Sequence, residues 1–169
     1  LLMAATPLAM DVCGMPFSDA ALVLEWHVIG MFAPGFFTGH LIKRFGVLQI
    51  MGVGVALNLA CVAVALSGQD LHQFLIGLFL LGVGWNFLFV GGSALLTETY
   101  LPEERSRVQG INDFFVYGTV ACSSFMSGWV YQTYGWGIIN AVGIPLIGLS
   151  LLATGWLIWR GRRAAAAAG

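Results

Sequence analysis

Charge is scarce in this chain, and it keeps to a few places. Lys, Arg, Asp and Glu make up 9% of the 169 residues, while 59% are hydrophobic and the mean hydropathy is +0.87. Soluble domains carry about 25% charged residues, and a soluble fold of this length and composition would lack the polar surface to cover itself. The composition therefore indicates an integral membrane protein. With only seven Lys and Arg and a net charge of −1, no basic face exists for nucleic acid. Cysteine is equally sparse. Cys13, Cys61 and Cys122 lie far apart without CxxC spacing, which excludes a disulfide framework and gives no metal-ligand set. No Gly-rich phosphate loop, H-E-x-x-H or G-x-S-x-G motif is present, so no cofactor, no metal and no catalytic centre are expected, and ATP is not the energy source within this chain.

What is there is apolar sequence in long continuous runs. A hydrocarbon core about 30 Å thick needs about 20 apolar residues at 1.5 Å rise each. Full spans are expected at 20–42, 46–66, 71–96, 108–131 and 137–159. Residues 1–10 are apolar but too short to cross, and with a first residue other than Met and no signal-peptide pattern the chain reads as a fragment. The runs do not alternate apolar with polar, so a membrane barrel is excluded in favour of an all-α helical bundle over 1–159. Residues 160–169 form a basic, alanine-rich tail.

All seven basic residues fall in three clusters at every second boundary between runs: Lys43 and Arg44, then Arg105 and Arg107, then Arg160, Arg162 and Arg163. Excess Lys and Arg mark cytoplasmic loops. The expected topology puts those clusters and the carboxy terminus in the cytoplasm and the connections 11–19, 67–70 and 132–136 outside. Glycines stand at helical spacing, Gly35 with Gly39, Gly77 with Gly84 and Gly91, and Gly110 with Gly118, as close helix packing in lipid requires. Pro34-Gly35 and Pro145 are the expected kinks.

Two loops carry recognisable wording. Gly39-His40-Leu41-Ile42-Lys43-Arg44-Phe45-Gly46 resembles the G-x-x-x-D-R-x-G loop of the major facilitator superfamily, and Glu98-Thr99-Tyr100-Leu101-Pro102-Glu103-Glu104-Arg105 is similar to its E-x-x-P-x-x-x-R loop. In that family the loops follow the second and fourth helix of each six-helix half, the positions they hold here. Lys43 stands where the family has an acid, so that charge interaction does not carry over. Such a degraded loop and the basic terminus resemble a carboxy-terminal half, helices seven to twelve with the seventh truncated. The resemblance implies a secondary transporter of a small solute, working by alternating access at a midplane site in the bacterial plasma membrane, with the missing amino-terminal half and the lipid bilayer as partners. It also implies that Glu98 and Arg105 join charge pairs that close a cytoplasmic gate, with Gly39, Arg44, Gly46 and Pro102 shaping the loops and Asp113 in reach.

Ionisable residues inside a span cost roughly 2.5–3.5 kcal/mol on insertion scales and so are functional candidates. Glu25 and His27 stand first. Glu25 lies roughly 9 Å into its helix, deep enough to lose water, and His27 titrates near neutrality unaided. Two residues apart, they point about 200° from each other, so at most one faces a central cavity squarely. A proton gradient is the expected drive, with one of them as carrier if transport is coupled, and uniport is the alternative. In the resembled fold the spans 20–42, 71–96 and 108–131 line the cavity and the other two lie toward lipid. That selects Trp85, Asn86 and Tyr117 as substrate contacts and leaves Asn58 and Asn140 to packing. One other class stays open, a receptor or scaffold on the same helices; a membrane-embedded enzyme using His27, Glu25 and His72 is disfavoured, because His72 lies at the outer end of a different span and no further ligand accompanies it.

Overall fold

A computed structural model of the chain describes residues 1–167, apart from the side chains of 161, 162 and 164–167. Among the described residues there is no strand. The protein is an all-α membrane bundle, and the sequence dictates its helices by unbroken apolar runs and its breaks by Gly and Pro. The elements are α1 (Leu2–Val12), α2 (Phe17–Phe32), α3 (Gly35–Phe45), α4 (Val47–Ser67), α5 (Leu71–Thr97), a 3₁₀ turn (Pro102–Glu104) and α6 (Arg105–Ala167). At 1.5 Å per residue α4 is about 30 Å long and α5 about 40 Å, enough to cross a hydrocarbon core.

The expected span at 20–42 is two helices. Pro34 has no N–H to give the carbonyl of Gly30, and its ring crowds that carbonyl. The helix stops at Phe32, and α3 starts again at Gly35 at an angle of 40°. Pro145, by contrast, sits inside continuous helix. The break in α6 comes at Gly135, whose φ of +75° and ψ of −176° turn the chain sharply, so that α6 has two arms, 105–134 and 136–167. The turn expected over 132–136 is therefore made by one glycine.

Between α3 and α4 the whole connection is Gly46, with φ +93°. A Cβ there would lie 2.5 Å from Gln49 Oε1, and left-handed φ is itself unfavourable for any other residue. Lys43 and Arg44 occupy the last turn of α3, where cations complement the helix dipole.

Helix α5 is central, packed against α4 and α2, while α6 covers α4 and α1. The close approaches are made by glycines. A Cβ on Gly82 would lie 2.5 Å from His27 O, and one on Gly30 would lie 2.8 Å from Phe79 O, so α2 and α5 touch backbone to backbone. Two residues further along α5, Gly84 meets Gly54 of α4 in the same way, at 2.9 Å from its carbonyl oxygen. Lipid gives no hydrophobic drive for helix association, and this closeness supplies van der Waals contact in its place.

The buried core sits at the end that carries the connections 11–19, 67–70 and 132–136. There Ala9 and Met10, Val23, Ala65, Phe74 and Leu78 surround Trp136 and Ile139. Trp136, just after the Gly135 turn, packs edge-on against Phe74 at 5.3 Å. Its indole N–H bonds the carbonyl of Ala65 at 2.9 Å, in the last turn of α4, where carbonyls have no partner within the helix. The first arm of α6 instead leaves large apolar side chains outside, Phe125 at 91% exposure and Phe114 at 74%. Such a surface suits lipid or another membrane helix.

Candidate functional site

A cavity of about 570 Å³ opens inside the bundle, and residues from α1, α2, α4, α5 and both arms of α6 line it. Its wall is mostly apolar, with a few polar side chains among them His27, Asn58, Asn86, Tyr117 and Asn140.

His27 and Glu25 part company here as their spacing requires. His27 is buried, 3% exposed, and lines the cavity; Glu25 is exposed on the outer face of α2. The His27 ring lies against α5, with Nδ1 2.7 Å from the carbonyl oxygen of Leu78. A carbonyl can only accept, so Nδ1 carries the proton and Nε2 is the nitrogen left for other chemistry.

Trp85 and Asn86 follow on α5. The Trp85 ring stacks on Phe89 one turn later, centroids 4.7 Å apart and planes 8° from parallel, so each ring covers one face of the other, and both residues line the cavity. Asn86 is 4% exposed and engaged at both ends of its amide: Nδ2 donates to Met31 O at 2.7 Å, and Oδ1 accepts from Thr38 Oγ1 at 2.7 Å. Tyr117, on the first arm of α6, reaches the same cavity while remaining 56% exposed.

The segments expected toward lipid contribute as well. Asn58 of α4 and Asn140 of α6 both line the cavity, and the side-chain oxygen of each is buried without a hydrogen-bond partner. Asn140 uses its Nδ2 on the carbonyl of Trp136. Asn58 is held against the backbone of Gly84 by the glycine crossing of α4 and α5, which turns this face of α4 inward. Thr38, also missed from the sequence, carried one local signal: it stands four residues after Pro34, where a Thr hydroxyl bonds the i−4 carbonyl.

The loop motifs lie elsewhere. Gly39 lies in the middle of α3, while Arg44 and Gly46 close it, with the Arg44 guanidinium 5.2 Å from the Phe45 ring centroid. Glu98 caps α5, Pro102 begins the 3₁₀ turn and Arg105 begins α6. Within this connection Gln109 Nε2 bonds Tyr100 Oη at 2.7 Å, and Asn112 Nδ2 bonds the Asp113 carboxylate at 3.3 Å. Among the described residues no group of three or more His, Cys, Asp or Glu is placed to hold a metal ion.

The family model described as Major Facilitator Superfamily matches residues 1–168. The chain belongs to the major facilitator superfamily. It is 45% identical over 150 residues to the riboflavin transporter RfnT of Brucella anthropi, which covers 89% of this chain and 38% of that protein. It is 32% identical over 164 residues to the uncharacterised MFS-type transporter YddS of Bacillus subtilis, covering 96% and 37%. A third relative, the putative niacin/nicotinamide transporter NiaP of Bacillus subtilis, is 31% identical over 147 residues, covering 76% and 35%. The chain thus spans less than two-fifths of the length of these relatives. No solved structure matches it at a significant level. Family membership makes the protein an integral membrane protein of a transporter family for small solutes.

Proposed function

We propose that the chain is the carboxy-terminal half of a proton-coupled secondary transporter for a flat heteroaromatic solute of the riboflavin kind, in a bacterial plasma membrane. The observation that carries this reading is the cavity with the stacked Trp85–Phe89 pair in its lining, a stack that a further planar ring can extend. A planar ring stacks on such a face, while the Asn86 amide and the Tyr117 hydroxyl supply the few polar contacts that orient it. Support for the ring comes from the relatives, one named for riboflavin and another for niacin or nicotinamide. The volume of about 570 Å³ is of the size that holds a small solute.

His27 is assigned the proton, because it lies at the cavity with Nε2 free of the Leu78 bond, whereas Glu25 projects from the outer face of α2. The three basic clusters set the cytoplasmic side, and Glu98, Arg105 and Asp113 gate the cavity from there. The direction of net transport follows from the gradients imposed.

Binding tests this reading directly. Riboflavin fluorescence should be quenched saturably by the purified complete transporter, and Trp85→Leu should weaken binding about tenfold, or about 1.4 kcal/mol, as loss of one stacking partner does. If neither riboflavin nor nicotinamide binds the unaltered protein saturably, the substrate class is wrong.

A further inference from the structure

The break at Pro34 is bridged by a side chain from a third helix. On the near side, Met31 O of α2 accepts from Asn86 Nδ2 at 2.7 Å. On the far side, Thr38 of α3 places Oγ1 2.7 Å from Asn86 Oδ1. One amide thus spans the bend and ties both arms to α5. Around it α3 starts its own ladder: Phe37 and Thr38 give their N–H groups to Pro34 O, each at 2.8 Å.

The Thr38 hydroxyl has two acceptors and one proton. It lies 2.7 Å from Asn86 Oδ1 and 2.8 Å from Pro34 O, so a turn of the hydroxyl toward its own helix lets go of Asn86 without leaving the Thr38 proton unpaired. Thr38 is wholly buried, and water does not compete there. Asn86, Met31 and Gly35 line the cavity, while Thr38 sits behind that wall.

We propose that Asn86 is a positioning residue that latches the α2–α3 hinge, with Thr38 as the catch. The hinge angle is then held by two hydrogen bonds that end at the cavity wall, where a solute seeking the same amide loosens them. This second consequence rests on the transporter reading above; the latch itself does not. A glycine pair locks α2 to α5 at Gly30 and Gly82, just before the break, whereas α3 packs only lightly on α4 and α5, so α3 is the arm that the latch restrains.

Hydrogen exchange and transport in the complete transporter together test the latch. Thr38→Val keeps the shape and removes the hydroxyl; Thr38→Ser keeps the hydroxyl. Without ligand, amides 35–38 should exchange about tenfold faster in Thr38→Val and in Asn86→Ala, no faster again when the two are combined, and at the unaltered rate in Thr38→Ser. For riboflavin uptake, Thr38→Val should change the maximal rate several-fold and lower KM, since the solute no longer competes with Thr38 for the Asn86 amide, and Thr38→Ser should restore both. Unaltered exchange in Thr38→Val, additive effects in the double variant, or a Thr38→Ser that behaves like Thr38→Val would overturn the latch. If the unaltered protein moves no riboflavin, the substrate reading fails alone, and the ligand-free exchange rates still decide the latch.

Discussion

His27 and Leu78 are joined across the crossing of α2 and α5 by an Nδ1–H bond to a main-chain oxygen at 2.7 Å, one helical turn before Gly82 meets the carbonyl of His27 itself. The candidate proton carrier is therefore fixed to the backbone of the central helix at the point where two helices pack most closely. Packing and chemistry share this crossing.

That closeness leads to the first prediction. A methyl at Gly82 would lie 2.5 Å from His27 O and 3.0 Å from Met31 N, both backbone atoms that cannot step aside. Gly82→Ala is expected to destabilise the bundle by about 1–3 kcal/mol, the usual cost of overpacking. Gly148→Ala, where a Cβ would meet nothing within 4 Å, should be neutral or slightly stabilising. Thermal unfolding in detergent compares the two, and equal midpoints would show that the crossing is not close-packed.

The second concerns the Gly135 turn. Trp136 bonds Ala65 O at 2.9 Å and packs on Phe74, so Trp136→Phe keeps most of the ring and loses the N–H. A loss of about 0.6–1.7 kcal/mol is expected, the range of hydrogen bonds between membrane helices. A stability unchanged within error would mean that the last turn of α4 finds another donor.

Topology is testable with a native residue. Cys13 is exposed, beside Gln69 at 3.5 Å in the other connection at the same end, whereas Cys61 is buried in α4. An impermeant thiol reagent applied to intact cells should label Cys13 and spare Cys61. In a Cys13→Ser background, Lys43→Cys should react only after the membrane is opened. Labelling of position 43 from outside would invert the orientation.

Proton coupling separates the two ionisable candidates. His27→Gln should abolish uptake driven by a pH gradient while gradient-free riboflavin exchange survives. Glu25→Gln should leave driven uptake near the unaltered rate, because Glu25 lies off the cavity. The reverse pattern would move the proton to Glu25, and unchanged driven uptake in the double substitution would remove it from both.

The fold was legible in the sequence where one signal dominates. Continuous apolar runs gave the helices, and two loop motifs gave the family that the comparison bears out over residues 1–168. Glycine spacing was a weaker guide. Gly84 and Gly91 do stand at close contacts, but a Cβ on Gly39, Gly110 or Gly118 would meet nothing within 4 Å, and the tightest crossing, Gly30 with Gly82, has no helical repeat to announce it. Spacing reports a shared face and not which neighbour lies against it. The two prolines differ for a related reason: Pro34 ends α2, whereas the backbone at Pro145 stays helical. Asn86 stood out as a polar residue in mid-span, yet its partners Met31 O and Thr38 belong to another segment and to a bend that no periodicity encodes. Asn58 and Asn140 lie in spans that the family resemblance assigns toward lipid, and the helix crossings turn them inward to line the cavity.

Transport by the complete protein tests the central claim most directly. Proteoliposomes containing the full-length transporter, loaded at a pH different from the outside, are given labelled riboflavin, and accumulation above the outside concentration is followed with and without an ionophore that collapses the proton gradient. Accumulation that needs the gradient, and that Trp85→Leu weakens through a higher KM, is the expected result. Riboflavin that never rises above its outside concentration, or that accumulates equally after the gradient is collapsed, would contradict a proton-coupled transporter of flat heteroaromatic solutes.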